Sequence, residues 1–392
     1  MWTRGFISLC CVMFVIGLIT GPVHHFFPVY VENAMGEDPL FAGLLRSIPI
    51  ALGGLTALIG GTLSDRFGRK PTLLIGMTGA VVIGGLFTTQ IPLLICGFLC
   101  YAGIASGLKT AGGQSYLISS VTSERLGFAT GLYFISSTLG NAIGNAIAGE
   151  VISRYDYTVF GNTAIIFTGV VFIGACFLLP RVKQNTINAR NKRQSILKST
   201  LNIKKYLNLC KRNQIQMLIG LRVFPTYYWG TVNLLMPILI NQLGGEKATG
   251  YYGTLSLSFA FICQFVTGRI CDNVGHRLPA FVTNILVTLM ASALIVYHDS
   301  LFVLGFFGVL GTGAAWALST TIPRFINEFT DAHEKGHGVG ITHLAWSTGF
   351  LLGYLVSGIL VIISVKIPFI VAGFFLLCST IITYKLWHTS TH

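Results

Sequence analysis

Apolar runs recur along this chain from end to end, separated only by short breaks. A helix needs about 20 mostly apolar residues to cross the hydrocarbon core. In lipid the backbone has no water to bond, so each run must satisfy its own N–H and C=O groups and is read as a helix. Twelve spans are expected, at 5–32, 39–64, 70–89, 92–118, 127–152, 160–181, 214–241, 247–271, 278–297, 301–326, 337–363 and 367–387. Charge supports this. Only 10% of the 392 residues are Asp, Glu, Lys or Arg, against about a quarter in a soluble domain. The 46 glycines suit helices that pack closely in a membrane. The first run reads as a span, not a signal peptide: it has a single Arg4 before it, lacks a small-residue cleavage site, and continues into His24 and His25.

Charge also orients the chain. From Arg181 to Arg212 there are ten Lys or Arg and no acid, which marks this stretch as cytoplasmic. Arg66, Arg69, Lys70, Arg269 and Arg277 fall on the same side, while Glu32, Glu37, Asp38 and Asp299 fall on the other. Both termini are then cytoplasmic, and the net charge of +13 reflects topology, not nucleic-acid binding. Nine cysteines, an odd number scattered through apolar runs and inner loops, do not form a disulfide framework. Cys96 and Cys100 share a helix face without any His or carboxylate to complete a metal site, so packing is their expected role.

An internal repeat divides the chain. Gly61-Thr-Leu-Ser-Asp65-Arg66-Phe-Gly68-Arg69-Lys70 follows the second span, and Gly268-Arg-Ile-Cys-Asp272-Asn-Val-Gly275-His276-Arg277 follows the eighth. A fainter echo sets Gly21-Pro-Val-His24 through Pro28 against Gly230-Thr-Val-Asn233 through Pro237. Order and spacing agree, which implies two related halves. The expected fold class is an all-α polytopic membrane protein with twelve transmembrane helices in two pseudo-symmetric six-helix bundles, 1–181 and 214–392, joined by a basic cytoplasmic linker at 182–213. In the repeated turn, Gly61 and Gly268 are expected to admit a neighbouring helix. Asp65 would face a helix N-terminus, Gly68 would permit the reversal, and Arg66, Arg69 and Lys70 would sit at the anionic leaflet.

At these residues the chain resembles the major facilitator superfamily of secondary transporters. The resemblance implies that Asp65 and Arg66 form a cytoplasmic latch, and that substrate binds between the halves under alternating access. The second copy has Asn273 and His276 where the first has bases, so the same latch is not expected there. Gly140-Asn-Ala-Ile-Gly144-Asn145 through Gly149 is similar to a glycine-rich antiporter motif, with Asn145 in place of Pro; close packing accounts for the glycines equally well.

Ionisable groups at depth are costly and tend to line a cavity. Arg46, Lys109 and Arg222 lie within spans two, four and seven, His24 and His25 in span one, and His343 in span eleven. Asn141, Asn145, Tyr227, Trp229, Asn233 and Trp346 are the polar and aromatic candidates beside them, with Gln114, Tyr228 and Gln264 as further neighbours. His24 and His25 point about 100° apart, so one of them is expected to face the cavity. In contrast, all thirteen acids fall in loops or at span ends. A cavity with cations and no anions attracts negative charge. The expected substrate is a small organic anion or zwitterion, with protons as coupling ion carried by His24, His25 or His343. A multidrug exporter of lipophilic compounds is the alternative. An enzyme is not expected: the chain has no Walker sequence and no nucleophile elbow. His333-Glu334-Lys-Gly-His337 matches a metalloprotease string but lies in a loop with Gly336, and reads as chance. No cofactor or metal is expected. A monomer among membrane lipids, in a bacterial inner membrane, completes the reading.

Overall fold

The computed structural model describes residues 3–121, 126–181, 203–296, 299–331 and 334–388. Every regular element among them is helical. Helix α1 is Arg4–Asn33, α2 is Pro39–Phe67, and α3 is Arg69–Ile83, extended by a 3-10 turn at Gly84–Phe87. Helices α4 (Pro92–Ser120), α5 (Leu126–Arg154) and α6 (Tyr157–Leu178) complete the first half. A short α7 (Ile203–Cys210) precedes the 62-residue α8 (Asn213–Val274). There follow α9 (Arg277–Val296), α10 (Leu301–Ser319), α11 (Ile322–Phe329), α12 (Lys335–Val361) and α13 (Lys366–His388). Ten of the described helices are long and apolar enough to cross a membrane. One of them, α8, bends at Gly245 (φ 72°, ψ −172°) into two rods, a conformation that only glycine adopts cheaply. Helix α5 is as long but more polar, with Ser136, Asn141 and Asn145 along it.

Acids that the spans exclude reappear as helix caps. Asp38 accepts from the Phe41 amide at 2.8 Å, and Asp156 from the Val159 amide at 2.6 Å. One expectation needs correction. The run 301–326 is not one helix: α10 stops at Ser319 and α11 restarts with Pro323 in its first turn. Pro323 has no N–H to offer the Ser319 carbonyl one turn back, so the helical ladder is interrupted there. A short helix, α7, falls within the expected linker.

The halves repeat one packing plan. In the first, α1 packs on α5 and α6, α2 on α4, and α3 on α4 and α6. In the second, α8 packs on α12, α13 and α10, while α9 packs on α10 and α13. Glycines bring the paired backbones together. A Cβ at Gly140 would lie 2.0 Å from Phe14 O on α1, and one at Gly144 would lie 2.1 Å from Leu18 O. At the matching crossing, a Cβ at Gly230 would lie 2.5 Å from Phe350 O, and one at Gly353 would lie 2.4 Å from Tyr227 O. The Gly21/Gly230 echo in the sequence is thus a packing echo. Gly268 does not behave as expected: a Cβ there would meet nothing within 4 Å, and no helix packs on it.

Apolar cores show where the halves meet. One buried cluster joins them, running from Phe26, Tyr30 and Leu45 to Tyr228, Leu235 and Tyr354. It lies away from the linker. Near the linker the core divides in two. One cluster around Leu9, Leu73 and Tyr116 belongs to the first half, and another around Leu218, Phe325 and Ile341 belongs to the second. The halves therefore close on the face opposite the linker and part on the linker face. On the closed face Gly43 abuts Tyr354 O, Gly149 abuts Gly250, and Thr254 donates to Ala142 O at 2.6 Å.

Glycine-mediated crossings are intolerant of side chains. Gly144→Val should lower the melting temperature in detergent, with a cost of about 1–3 kcal/mol or more from overpacking. Gly97→Val, where a Cβ meets nothing within 4 Å, should leave it within error. Equal melting of the two variants would contradict the crossing.

Candidate substrate cleft

Helix α1 is flanked by α2, α5 and α6 and by α8 of the other half. Its middle borders the space between the halves. His24 is exposed there, whereas His25 is buried at 8% exposure, edge-on to Tyr252 at 6.3 Å. Lys109 on α4 is half-buried and within electrostatic reach of His24. Among the described residues no hydrogen bond or ion pair engages its ammonium. Arg46 is 6% exposed and already spent. Its guanidinium donates to His24 O and, at 2.7 Å, to the Tyr354 hydroxyl on α12. It also lies 4.9 Å from the centre of the Tyr354 ring. Arg46 thus ties α1, α2 and α12 together on the closed side of the cleft.

The second half supplies another cationic corner. Arg222 Nη1 donates to Ser319 Oγ on α10 at 2.8 Å, the single hydrogen bond to its guanidinium among the described residues. With Trp229 and Ser319 it borders a void of about 10 Å³, the room of roughly one water. A larger hollow of about 430 Å³ lies in the first half, between Tyr30, Thr89 and Asp156, away from these cations. His343 is exposed, within electrostatic reach of Arg222, and stacks on half-buried Trp346 at 5.6 Å and 19°.

Other candidates serve packing here. Tyr227 is 2% exposed and turns to Phe375 on α13. Tyr228 is fully buried. Asn233 donates to Trp229 O of its own helix at 2.9 Å. Asn141 accepts from Thr20 at 3.3 Å. Asn145 is fully buried where α5 meets α8, with neither side-chain polar atom hydrogen-bonded. Gln114 is exposed and Gln264 half-buried. His333 lies outside the described residues. Glu334 from the same string forms a two-pronged ion pair with Arg212, at 2.7 and 2.9 Å, and the His337 ring packs on Tyr206.

Comparison with known proteins places this geometry. The Major Facilitator Superfamily family description fits residues 6–323 and again 223–391. The chain belongs to the Major Facilitator Superfamily. It is a multi-pass membrane transporter and not an enzyme. Quinolone resistance protein NorB of Staphylococcus aureus (strain JH9) is 28% identical over 149 residues, which is 36% of this chain. The match spans 31% of that relative's length. Among solved structures, a POT family transporter in complex with a thioalcohol-conjugated peptide superposes with a TM-score of 0.77 at 14% identity, over 99% of this chain and 96% of that one. Nucleoside transporter NupG superposes with a TM-score of 0.78 at 12% identity, over 98% and 99%. At such identities the likeness is one of fold.

The superfamily turn appears twice, with its backbone intact. Gly68 (φ 100°) and Gly275 (φ 80°) occupy equivalent positions and both have the left-handed φ that favours glycine. The next matching pair is functional in folding. Lys70 Nζ donates to Cys176 O near the end of α6, and Arg277 Nη1 donates to Leu386 O near the end of α13, each at 2.7 Å. Each base thus donates to a carbonyl in the final turn of the last helix of its half, where positive charge is favoured. The side chains of Gly61's neighbours in the turn, Asp65 and Arg66, lie outside the described residues, as does the Cα surround of Gly61. Arg69 is described, with its Nε buried and unbonded. In the second half Asp272 pairs with Arg324 at 2.5 Å, and Arg324 also donates to Gly268 O. Gly268 therefore offers its carbonyl and not its missing side chain. Glu328 accepts from Arg277 and lies 2.8 Å from His276. Burial holds the His276 imidazole below its usual pKa against the pull of Glu328, so Arg277 carries the positive charge of this corner near neutral pH. Arg324 and Glu328 have no counterpart in the sequence repeat and come from a segment some fifty residues on, which is why the repeat does not reveal them.

Lys70→Ala and Arg277→Ala should each destabilise the protein, by about 1–2 kcal/mol for a lost charge-assisted bond. Melting in detergent reads this out. Lys70→Arg and Arg277→Lys should retain most of the stability, and unchanged melting in both alanine variants would refute the paired capping role.

Proposed function

We propose that this transporter moves a small organic anion or zwitterion by alternating access between bundles 1–181 and 214–392. One observation carries the reading. The described cleft presents Lys109 and Arg222, with His24 and His343 beside them, and no described acid lies mid-span to neutralise the two charges. Cations left without anions in a water-filled cleft favour a negatively charged occupant. Arg222, anchored by one edge to Ser319, keeps donors for a carboxylate or phosphate. Lys109 adds a point charge from the opposite wall. A histidine, His24 or His343, is the suited proton carrier; His25 is buried against Tyr252 and less accessible to substrate. With the basic linker on the cytoplasmic side of a bacterial inner membrane, the open face looks inward and both termini are cytoplasmic. The carrier acts as a monomer among lipids.

A second reading has its own support. The similarity to a protein named for quinolone resistance favours export of lipophilic drugs.

Transport into proteoliposomes separates the two. Candidate anions are offered under an imposed pH gradient, with the protein reconstituted at known orientation. Lys109→Ala and Arg222→Ala should each reduce anion uptake about tenfold or more, the equivalent of one lost charge contact. Uptake indifferent to both changes, with dye export intact, would overturn the anion reading in favour of the second.

A further inference from the structure

The second half lines its side of the cleft with aromatic rings. Three of the chain's five tryptophans are there, turned toward one another instead of ringing the lipid boundary, where tryptophan usually anchors. Trp229 meets Trp316 edge-to-face at 4.4 Å, and Phe350 lies 5.9 Å from Trp229 and 5.1 Å from Trp346. His343 stacks on Trp346, and Phe350 leads on to Tyr354, the ring held by Arg46. On α12 the residues 343, 346, 350 and 354 follow helical spacing and form one stripe. Their exposure is graded. His343 is exposed, Trp346 half-buried, Phe350 7% and Tyr354 1% exposed. The stripe therefore begins at the open mouth and ends at the closed side. Trp316 is likewise half-buried. The cluster leaves Trp346 and Trp316 partly uncovered, while Arg222 shares a void with Trp229 and is within electrostatic reach of His343, which stacks on Trp346.

We propose that the occupant of this cleft is a planar aromatic ring bearing a carboxylate, its ring against Trp346 and Trp316 and its carboxylate on Arg222. The inference rests on the anion reading above and adds the ring to it. Indole faces bind flat π-systems in offset or edge-on geometry beyond what area alone gives. The nearby Arg222 guanidinium supplies the charge complement.

Titration calorimetry of the purified full chain in nanodiscs tests this with three probes of similar size: 2-naphthoate, its saturated analogue decahydro-2-naphthoate, and neutral 2-naphthamide. 2-Naphthoate should bind about three- to tenfold tighter than decahydro-2-naphthoate, the range expected for stacking. Trp346→Leu should abolish that preference while leaving decahydro-2-naphthoate binding in place, and Trp346→Phe should keep part of it. Equal affinity for the two carboxylates in the unaltered protein overturns the ring inference and leaves the anion reading standing. Naphthamide binding as tightly as naphthoate overturns the anion reading instead. No binding of any probe overturns both. A preference that survives Trp346→Leu removes the assigned ring site.

Discussion

A positive charge inside a membrane needs either a counter-charge or water, and among the described residues no acid lies mid-span to supply the first. Placing Lys or Arg at the centre of a span costs about 2.5–3.5 kcal/mol even on the most lenient scale. Lys109 and Arg222 incur that cost without a described acid beside them. The cleft between the halves answers it by admitting solvent to His24, Lys109 and His343. A cleft open to water on one face or the other is thus a condition for Lys109 and Arg222 to stay charged. Arg46 shows the other solution. It is buried, and it is tolerated because His24 O, the Tyr354 hydroxyl and the Tyr354 ring receive its charge.

Glycine contacts make the halves stiff enough to move as units. Where α1 crosses α5 and the first rod of α8 crosses α12, backbone touches backbone, and little room exists for internal adjustment. Movement then falls on the contact between halves. That contact is balanced rather than optimal. Arg46 and the Glu150–Lys247 pair at 3.1 Å hold it closed, while Asn145 sits in it with its amide unbonded. An unsatisfied buried amide costs about 1–3 kcal/mol, and parting the halves would return it to water. A contact so composed can release as well as hold, which a carrier requires of each face in turn.

Local patterns were readable in the chain; distant partners were not. Span positions follow from apolar length alone. The repeat at Gly68/Gly275 follows from turn chemistry, since glycine suits the positive φ; the reach of Lys70 and Arg277 to the last helix of their own halves does not. The break at Ser319 was legible too, in Pro323, but the apolar run masks it. By contrast, Arg46 gives the same signal as Arg222 in sequence: a lone cation two turns into a span. One is consumed by Tyr354, more than three hundred residues away, and the other retains free donors. Arg324 and Glu328 resisted reading for the same reason. The aromatic stripe on α12 does carry a periodic signal, at 343, 346, 350 and 354, which single-residue inspection of Trp346 overlooks.

The sign of the potential in the cleft is the claim on which the rest stands, and thiol chemistry measures it directly. His24→Cys, in a background with the nine native cysteines replaced by serine, places a thiol beside Lys109. Its reaction rates with an anionic sulfonate-bearing and a cationic ammonium-bearing thiosulfonate reagent are compared with those of a Glu37→Cys reference on the exposed α1–α2 connection. The ratio of anionic to cationic rate should stand several-fold above the reference at position 24 and return toward it when Lys109→Gln is added. A ratio at or below the reference would contradict a cation-walled cleft.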